Sequence, residues 1–128
     1  MFPVKEIIAI FDKEGSMIKY EVSFLEPAKE FLESLDSKTR EKILFNIWKS
    51  REINDSSLFK KLTSEIWEFR TRYKSKHHRL LAFRDKVDTE NTFVIVTHGF
   101  VKKTQKIPKH EIFRAMQLMK EYFDNKGI

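Results

Sequence analysis

The chain of 128 residues contains no cysteine. This absence excludes disulfide bonds and thiolate metal sites, and nothing in the sequence marks an oxidising compartment. Glycine is almost as scarce, with Gly15, Gly99 and Gly127 as its three copies. None of them has the spacing of a glycine-rich loop that wraps a phosphate, so a nucleotide-binding loop of that kind is excluded.

Long hydrophobic runs are missing as well. The apolar N-terminal stretch MFPVKEIIAIF contains Lys5 and Glu6, lacks a small-residue cleavage site and is far shorter than a membrane span. We therefore expect a cytoplasmic protein with no membrane partner.

The usual constellations of metal and nucleophile chemistry are also absent from the sequence. His77 and His78 are adjacent and so point to opposite faces of a strand, and His98 and His110 lie far apart, with no carboxylate pair beside them. No serine stands in a nucleophile elbow, and there is no helix-turn-helix pattern. If the protein is an enzyme, we expect its chemistry to rest on arginine, lysine and histidine, without a metal or a small-molecule cofactor.

Positive charge is abundant in one region of the chain. Residues 1–59 hold 9 basic and 11 acidic side chains, a balance of −2, whereas residues 60–110 hold 13 basic and 5 acidic ones, a balance of +8. Residues 111–128 are neutral, with 3 of each. A concentrated basic region on an otherwise balanced protein indicates a polyanionic partner, with nucleic acid as the leading candidate. The alternative is a set of solvated surface lysines.

Hydrophobic periodicity predicts one α+β domain over residues 1–128. Two β-rich runs, residues 4–11 and 17–24, flank the turn-forming segment DKEGS and predict a hairpin. Helical spacing then predicts two short amphipathic helices, the first starting at Pro27 and the second capped by Ser37. Their tight connection makes them a helical hairpin.

From Leu62 onwards the period changes to two, which is typical of strands. Three strands are predicted at residues 65–73, 77–84 and 93–100, separated by polar turns at 74–76 and 85–91. They form an antiparallel meander, and Pro108 starts a last amphipathic helix. The predicted architecture is a small twisted antiparallel sheet with the helices on one face and with Trp48 and Trp67 in the core.

Alternation along the first meander strand puts Glu68, Arg70 and Arg72 on the face opposite its aromatic residues. On the next strand Arg79 shares one side with His77, and the pattern leaves open which side faces outward. Each arginine has a plain structural alternative as well, since Arg70 can form an ion pair with Glu68. If both arginines face outward, they lie near the centre of an open, concave surface.

Lys102 and Lys103, at the end of the third strand, would extend that surface. Guanidinium groups grip two phosphate oxygens at a time and ammonium groups add point charge, so this arrangement fits a phosphodiester. When a ribose 2′-hydroxyl attacks its own 3′-phosphate, such cations stabilise the growing negative charge. His98 follows the most apolar run of the chain and is either a structural strand residue or a base.

Three segments, LFKKLTSEIWEFRTRY, HHRLLAF and FVIVTHGFVKKTQKIPKHEI, together resemble the phage-derived, HigB-like branch of the RelE/ParE toxin superfamily. In that branch a "KL...WElR" strand, a "YR" strand and an "hgF.KKt.ktP..ei" segment follow one another in this order. The resemblance extends over residues 24 to 123. His78 departs from it, because it stands where the family usually has tyrosine.

The resemblance implies the toxin of a type II toxin–antitoxin pair, an endoribonuclease that cleaves messenger RNA on the translating ribosome without a metal or cofactor. It implies catalytic roles for four cationic residues: Arg70, Arg79, Lys102 and Lys103. His98 and Glu68 are the candidates for the general base. The residues expected to contact RNA around this site are Arg72, Lys74, His78 and Lys106.

The expected protein partner is a helix-turn-helix antitoxin of the HigA kind, whose acidic or apolar segment would cover the same basic face. One alternative is a ParE-like toxin that binds and poisons DNA gyrase and has no nuclease activity. Because that branch shares the fold, the fold alone does not separate the two. A third possibility is a basic nucleic-acid-binding domain without toxicity.

Overall fold

The protein is described from a computed structural model, which covers residues 5–11, 17–53, 55–86 and 92–126, with side chains for 21–53, 55–86 and 93–126. The elements in chain order are β1 (Lys5–Phe11), β2 (Met17–Phe24), α1 (Glu26–Ser34), α2 (Ser37–Lys49), β3 (Phe59–Lys61), β4 (Trp67–Tyr73), β5 (Lys76–Lys86), β6 (Thr92–Lys102) and α3 (Lys109–Lys126). This content confirms the predicted α+β class. The turn predicted at DKEGS lies outside the described residues, as do residues 87–91 of the second polar turn.

The strands form a six-stranded sheet in the order β1-β2-β6-β5-β4-β3. The predicted hairpin of β1 with β2 and the meander of β4, β5 and β6 are present and antiparallel. The pairing of β2 with β6 is parallel, however, so the sheet is mixed and not antiparallel throughout. The chain leaves β2 into two helices and returns beside it as β6, after three intervening strands, and such a crossover connection brings parallel strands together.

The helical hairpin forms as predicted, with one change at a helix start. Pro27 lies in the first turn of α1, where its missing N–H costs no hydrogen bond. The N-cap of α2 is Asp36 instead of the predicted Ser37, because the Asp36 carboxylate accepts the backbone N–H of Thr39 at 3.2 Å and its hydroxyl at 2.6 Å. The short connection holds both helices on the same face of the sheet.

A first hydrophobic core lies between this helical hairpin and the sheet. Its buried members are Val22, Phe24, Ala28, Leu32, Ile43, Ile47, Phe69, Leu80, Ala82, Val94 and Val96. Trp48, which was predicted to be in the core, is 46% exposed, because the buried stripe of α2 runs through Ile43 and Ile47 on another side of the helix. Trp67 is half-buried, stacked between the ring of Phe59 and the guanidinium of Arg84.

A second core lies on the opposite face, beneath α3. Its buried members are Ile66, Leu81, Phe83, Ile95 and Ala115. The prediction that all helices share one face is therefore wrong. The physical reason is that β5 and β6 are apolar on both sides, as in Leu80 with Leu81 and Val94 with Ile95, and a doubly apolar strand needs cover on both faces.

Candidate nucleic-acid interface

An open cleft with a volume of about 490 Å³ lies on the α3 face of the sheet, beyond the apolar patch that packs against α3. It is lined by Arg70, His77, Arg79, Lys102, Lys103, Thr104 and Gln105. The structure thus brings together all four residues predicted to hold a phosphate, although about thirty positions separate the arginines from the lysines in the sequence. Their roles stay predictions.

The register of the strands explains why these residues lie close together. Arg70 and Arg79 are directly paired across β4 and β5, and His77 is directly paired with Lys102 across β5 and β6. Paired residues of an antiparallel ladder point to the same face, and so do residues two apart on one strand. His77 and Arg79 therefore share the face of Arg70 and Lys102, and Lys103 follows where β6 ends.

A buried carboxylate lies between the two arginines. Glu68 is 3% exposed, and its Oε1 lies 3.2 Å from Nε of Arg70 and 3.8 Å from Nε of Arg79. Each guanidinium also donates to a backbone carbonyl, Arg70 Nη1 to Ser56 at 3.2 Å and Arg79 Nη1 to His78 at 3.1 Å. The ion pair with Glu68 and the placement in the cleft therefore occur together, and Glu68 supplies the counter-charge of both arginines, closely to Arg70 and without a hydrogen bond to Nε of Arg79.

The pKa values in the cleft reflect crowded positive charge. Burial lowers the pKa of Lys102, and the charges of Arg79 and Arg70 lower it further against the opposing effect of Glu68. Burial likewise lowers the pKa of Arg79, with the charge of Arg70 acting in the same direction. Cations that repel one another in this way are each stabilised by an anion bound between them.

His78 does not line the cleft. Neighbouring residues of a strand point to opposite faces, and His78 lies on the face of α1 and α2, where it is 2% exposed and its ring centroid is 6.4 Å from that of Phe31. Burial lowers its pKa. The prediction that His78 contacts RNA conflicts with this position, and any effect of the histidine in place of tyrosine would act through packing.

His98 points to the face of the cleft but lies beneath α3. It is 1% exposed, its Nε2 is 2.9 Å from Oε1 of Glu111 on α3, and its Nδ1 is 3.0 Å from Oγ1 of Thr97. Burial lowers the pKa of His98, while the hydrogen bond to Glu111 acts the other way. Both ring nitrogens are occupied away from the cleft, so this geometry does not support His98 as the general base.

The other predicted RNA contacts lie around the cleft and do not line it. Arg72 is exposed, directly paired with His77 on the same face. Lys74 is in the turn between β4 and β5, with its ammonium 5.4 Å from the ring centroid of Tyr73. Lys106 is exposed in the connection between β6 and α3.

The cleft contains three residues that the predicted set lacked: His77, Thr104 and Gln105. For His77 the sequence held a usable signal, because alternation places it on the side of Arg79. For Thr104 and Gln105 there was none, since they belong to an irregular segment after β6 whose path is set by tertiary packing.

No helix within the described part of the chain is long and apolar enough to cross a membrane. Among the same residues, no three histidine, aspartate or glutamate side chains are grouped so that they could hold a metal ion. A family model described as "Phage derived protein Gp49-like (DUF891)" matches residues 30–120. This match covers the second half of α1, all of α2, the meander, every residue of the cleft and most of α3. No curated protein sequence matches the chain.

Proposed function

This chain belongs to the phage-derived Gp49-like family, a toxin-like family related to RelE/HigB-type toxins, and from that premise we propose that it is the toxin of a type II toxin–antitoxin pair. We propose further that it is an endoribonuclease that cleaves messenger RNA on the translating ribosome. The ribosome, the messenger and a HigA-like helix-turn-helix antitoxin are its proposed partners, which places its action in the cytoplasm.

The observation that carries the proposal is the composition of the cleft. Four cations, Arg70, Arg79, Lys102 and Lys103, line it, and one buried carboxylate, that of Glu68, lies beside the two arginines. Two guanidinium groups and two ammonium groups suit a phosphodiester, whose oxygens accept two hydrogen bonds from one arginine and point charge from lysine.

The same cations suit cleavage of the strand. In the proposed reaction the ribose 2′-oxygen forms a bond to the adjacent phosphorus and the bond from phosphorus to the 5′-oxygen breaks, which leaves a cyclic phosphate and a free 5′-hydroxyl. The five-coordinate phosphorus of the transition state carries more negative charge than the ground state. Cations already held in position stabilise that extra charge without reorganisation, and Arg70 and Arg79 are each held by an ion pair with Glu68 and a hydrogen bond to a backbone carbonyl.

The antitoxin is proposed to block the toxin by covering this cleft. A segment that brings carboxylates to the four cations would compete directly with the phosphate, and electrostatic complementarity of this kind speeds association and fixes the register of the complex.

We expect the Arg70→Ala variant to lose most of the cleavage activity. Wild type and variant are expressed from an inducible promoter, translation is followed by amino-acid incorporation, and transcript ends are mapped by primer extension. Loss of one preorganised group that stabilises transition-state charge should lower the cleavage rate by about 100-fold or more. The matched control is Arg114→Ala, since Arg114 is an exposed arginine on α3 that does not line the cleft.

Growth arrest without new transcript ends would overturn the nuclease proposal. Arrest accompanied by gyrase-dependent DNA breaks would favour the alternative of a ParE-like gyrase poison. If Arg70→Ala and Arg114→Ala both cleave like the wild type, the site is misplaced even though the chain is a nuclease.

A further inference from the structure

The proposed cleavage requires a group that removes the proton of the attacking 2′-hydroxyl. The side chains that line the cleft are two guanidinium groups, two ammonium groups, the hydroxyl of Thr104, the amide of Gln105 and the imidazole of His77. Of these, the imidazole is the one that accepts a proton readily near neutral pH.

Two other candidates are excluded by their surroundings. Glu68 is 3% exposed and shares one carboxylate oxygen with both arginines, so protonating it would leave two guanidinium groups without their counter-charge. His98 lies beneath α3 with both ring nitrogens engaged.

We propose that His77 is the general base of the cleavage reaction. This inference rests on the proposed function and adds to it a residue with a defined role. The imidazole takes the proton of the 2′-hydroxyl as the 2′-oxygen bonds to phosphorus, the departing 5′-oxygen takes a proton from water, and the imidazolium then returns its proton to solvent. No oxidant, metal or other reactant is needed for this balance.

The position of His77 fits the role. It is exposed at the mouth of the cleft, it shares a strand face with Arg79, and it is directly paired with Lys102 on one side and with Arg72 on the other. A phosphate held by the arginines and by Lys102 would therefore lie beside residues that are paired with His77 or share its strand face.

The charges that face His77 keep it neutral and thus able to act as a base. Desolvation lowers its pKa, and so do the charges of Arg79 on β5, of Arg72 and Arg70 on β4 and of Lys102 on β6. A histidine with a pKa below its ordinary 6.5 is mostly unprotonated at neutral pH.

The test is the rate of messenger cleavage on purified translating ribosomes under single-turnover conditions, from about pH 5 to about pH 8, the range over which histidine titrates. For the wild type we expect the rate to fall as pH drops through the pKa of His77, since protonation removes the base. His77→Ala and His77→Gln should each be slower by about 100-fold or more at neutral pH, and they should lose this pH dependence. Added imidazole should restore part of the activity of His77→Ala, since the small side chain leaves room for it.

His110→Ala serves as the matched control. The His110 side chain is 78% exposed on α3, outside the cleft, and its replacement should leave both the rate and the pH profile unchanged. If His77→Ala cleaves with the wild-type rate and pH profile, His77 is not the base, whereas the nuclease proposal stands. If the wild type itself cleaves no messenger on the ribosome, the proposed function fails, and the two failures are thereby distinguished.

A nuclear magnetic resonance titration of the histidine rings gives a second measurement that does not depend on activity. The His77 signal, identified by its loss in His77→Gln, should titrate below the ordinary 6.5, and binding of a short phosphodiester should raise its pKa, because the bound negative charge offsets the surrounding cations. A His77 signal that titrates above 6.5 in the free protein would contradict the electrostatic argument.

Discussion

At the scale of single residues, the cleft depends on a carboxylate that is almost fully buried. Glu68 holds Arg70 and Arg79 at 3.2 and 3.8 Å, and it is the acidic side chain between them. Arg79 is as buried as Glu68, so its guanidinium cannot simply turn to water if the carboxylate is removed, whereas the Arg70 side chain is 30% exposed. A buried charge that loses its partner is costly, whereas exposed ion pairs contribute little.

We therefore expect Glu68→Gln to be destabilised by about 3 kcal/mol, the usual cost of leaving a buried charge unpaired. The free energy of unfolding is measured by urea denaturation for wild type and variant. Cleavage should also slow, since the arginines lose the group that orients them. The matched control is Glu65→Gln, which changes an exposed glutamate three residues away and should leave stability within about 0.5 kcal/mol. Equal stability of Glu68→Gln and Glu65→Gln would show that the arginines do not depend on Glu68.

Gly99 shows how one small residue sets the fit of a helix on the sheet. A Cβ atom at position 99 would lie 2.3 Å from Cδ2 of Phe31, far inside contact distance, so the aromatic ring occupies the space of the missing side chain. A glycine within a strand permits either a close approach of another group or a bulge. The structure has the close approach here, while the register shift lies nearby, where β6 inserts Thr97 between the residues paired with Leu81 and Ala82.

At the scale of elements, α3 is fastened to the sheet by His98. Its ring bridges Thr97 on β6 and Glu111 on α3, at 3.0 and 2.9 Å. The charged or titratable groups near the ring are Glu111, His110 and Arg114, all on α3. Because burial lowers the pKa of His98 in the folded state, the unfolded chain takes up a proton at higher pH than the folded protein does.

The contribution of His98 to the free energy of unfolding should therefore be fully present above the ordinary histidine pKa of 6.5. It should fall as the pH drops below that value, by at most about 1.4 kcal/mol per pH unit for this one group. Urea denaturation at about pH 7.5 and about pH 5.5 measures the difference. His98→Gln should be less stable than the wild type at the higher pH, but its free energy of unfolding should decrease less between the two pH values. His78 has a lowered pKa for the same reason, so some pH dependence should remain. His110→Gln should behave like the wild type. If His98→Gln loses as much stability on acidification as the wild type does, His98 is not a source of the pH dependence.

The elements also show which features could be read from the sequence. The alternation of β4 and β5 correctly puts Arg70 opposite the aromatic residues and groups Arg79 with His77, because side-chain direction in a strand depends on local geometry alone. The local sequence pattern does not show which helix covers which face of the sheet. This arrangement depends on tertiary packing, which also decides that β6 inserts beside β2 in parallel and that Trp48 stays exposed.

At the scale of the whole molecule, the two helical layers leave the basic end of one sheet face open. Part of the excess of +8 over residues 60–110 is brought to this area, because β4, β5 and the end of β6, which carry Arg70, Arg79 and Lys102, lie within that range. α1 and α2 cover one face, and α3 covers the apolar part of the other. The positive charge that is concentrated in one part of the sequence thus lies on one open surface, which a polyanion can approach from one side.

Binding of a single-stranded nucleic acid should therefore weaken steeply with salt, since each phosphate contact releases a counterion. Single-stranded DNA is a suitable probe, because it has no 2′-hydroxyl and cannot be cleaved by the proposed route. If the four cations of the cleft each contact a phosphate, the plot of log affinity against log salt has a slope of about −3.

Lys103→Ala should reduce the steepness of this plot by about 0.7, measured by fluorescence anisotropy across a salt series. Lys120→Ala, on the exposed side of α3 and paired with Asp124, should leave the slope unchanged. If Lys120→Ala flattens the slope and Lys103→Ala does not, the nucleic acid binds along α3 and not in the cleft.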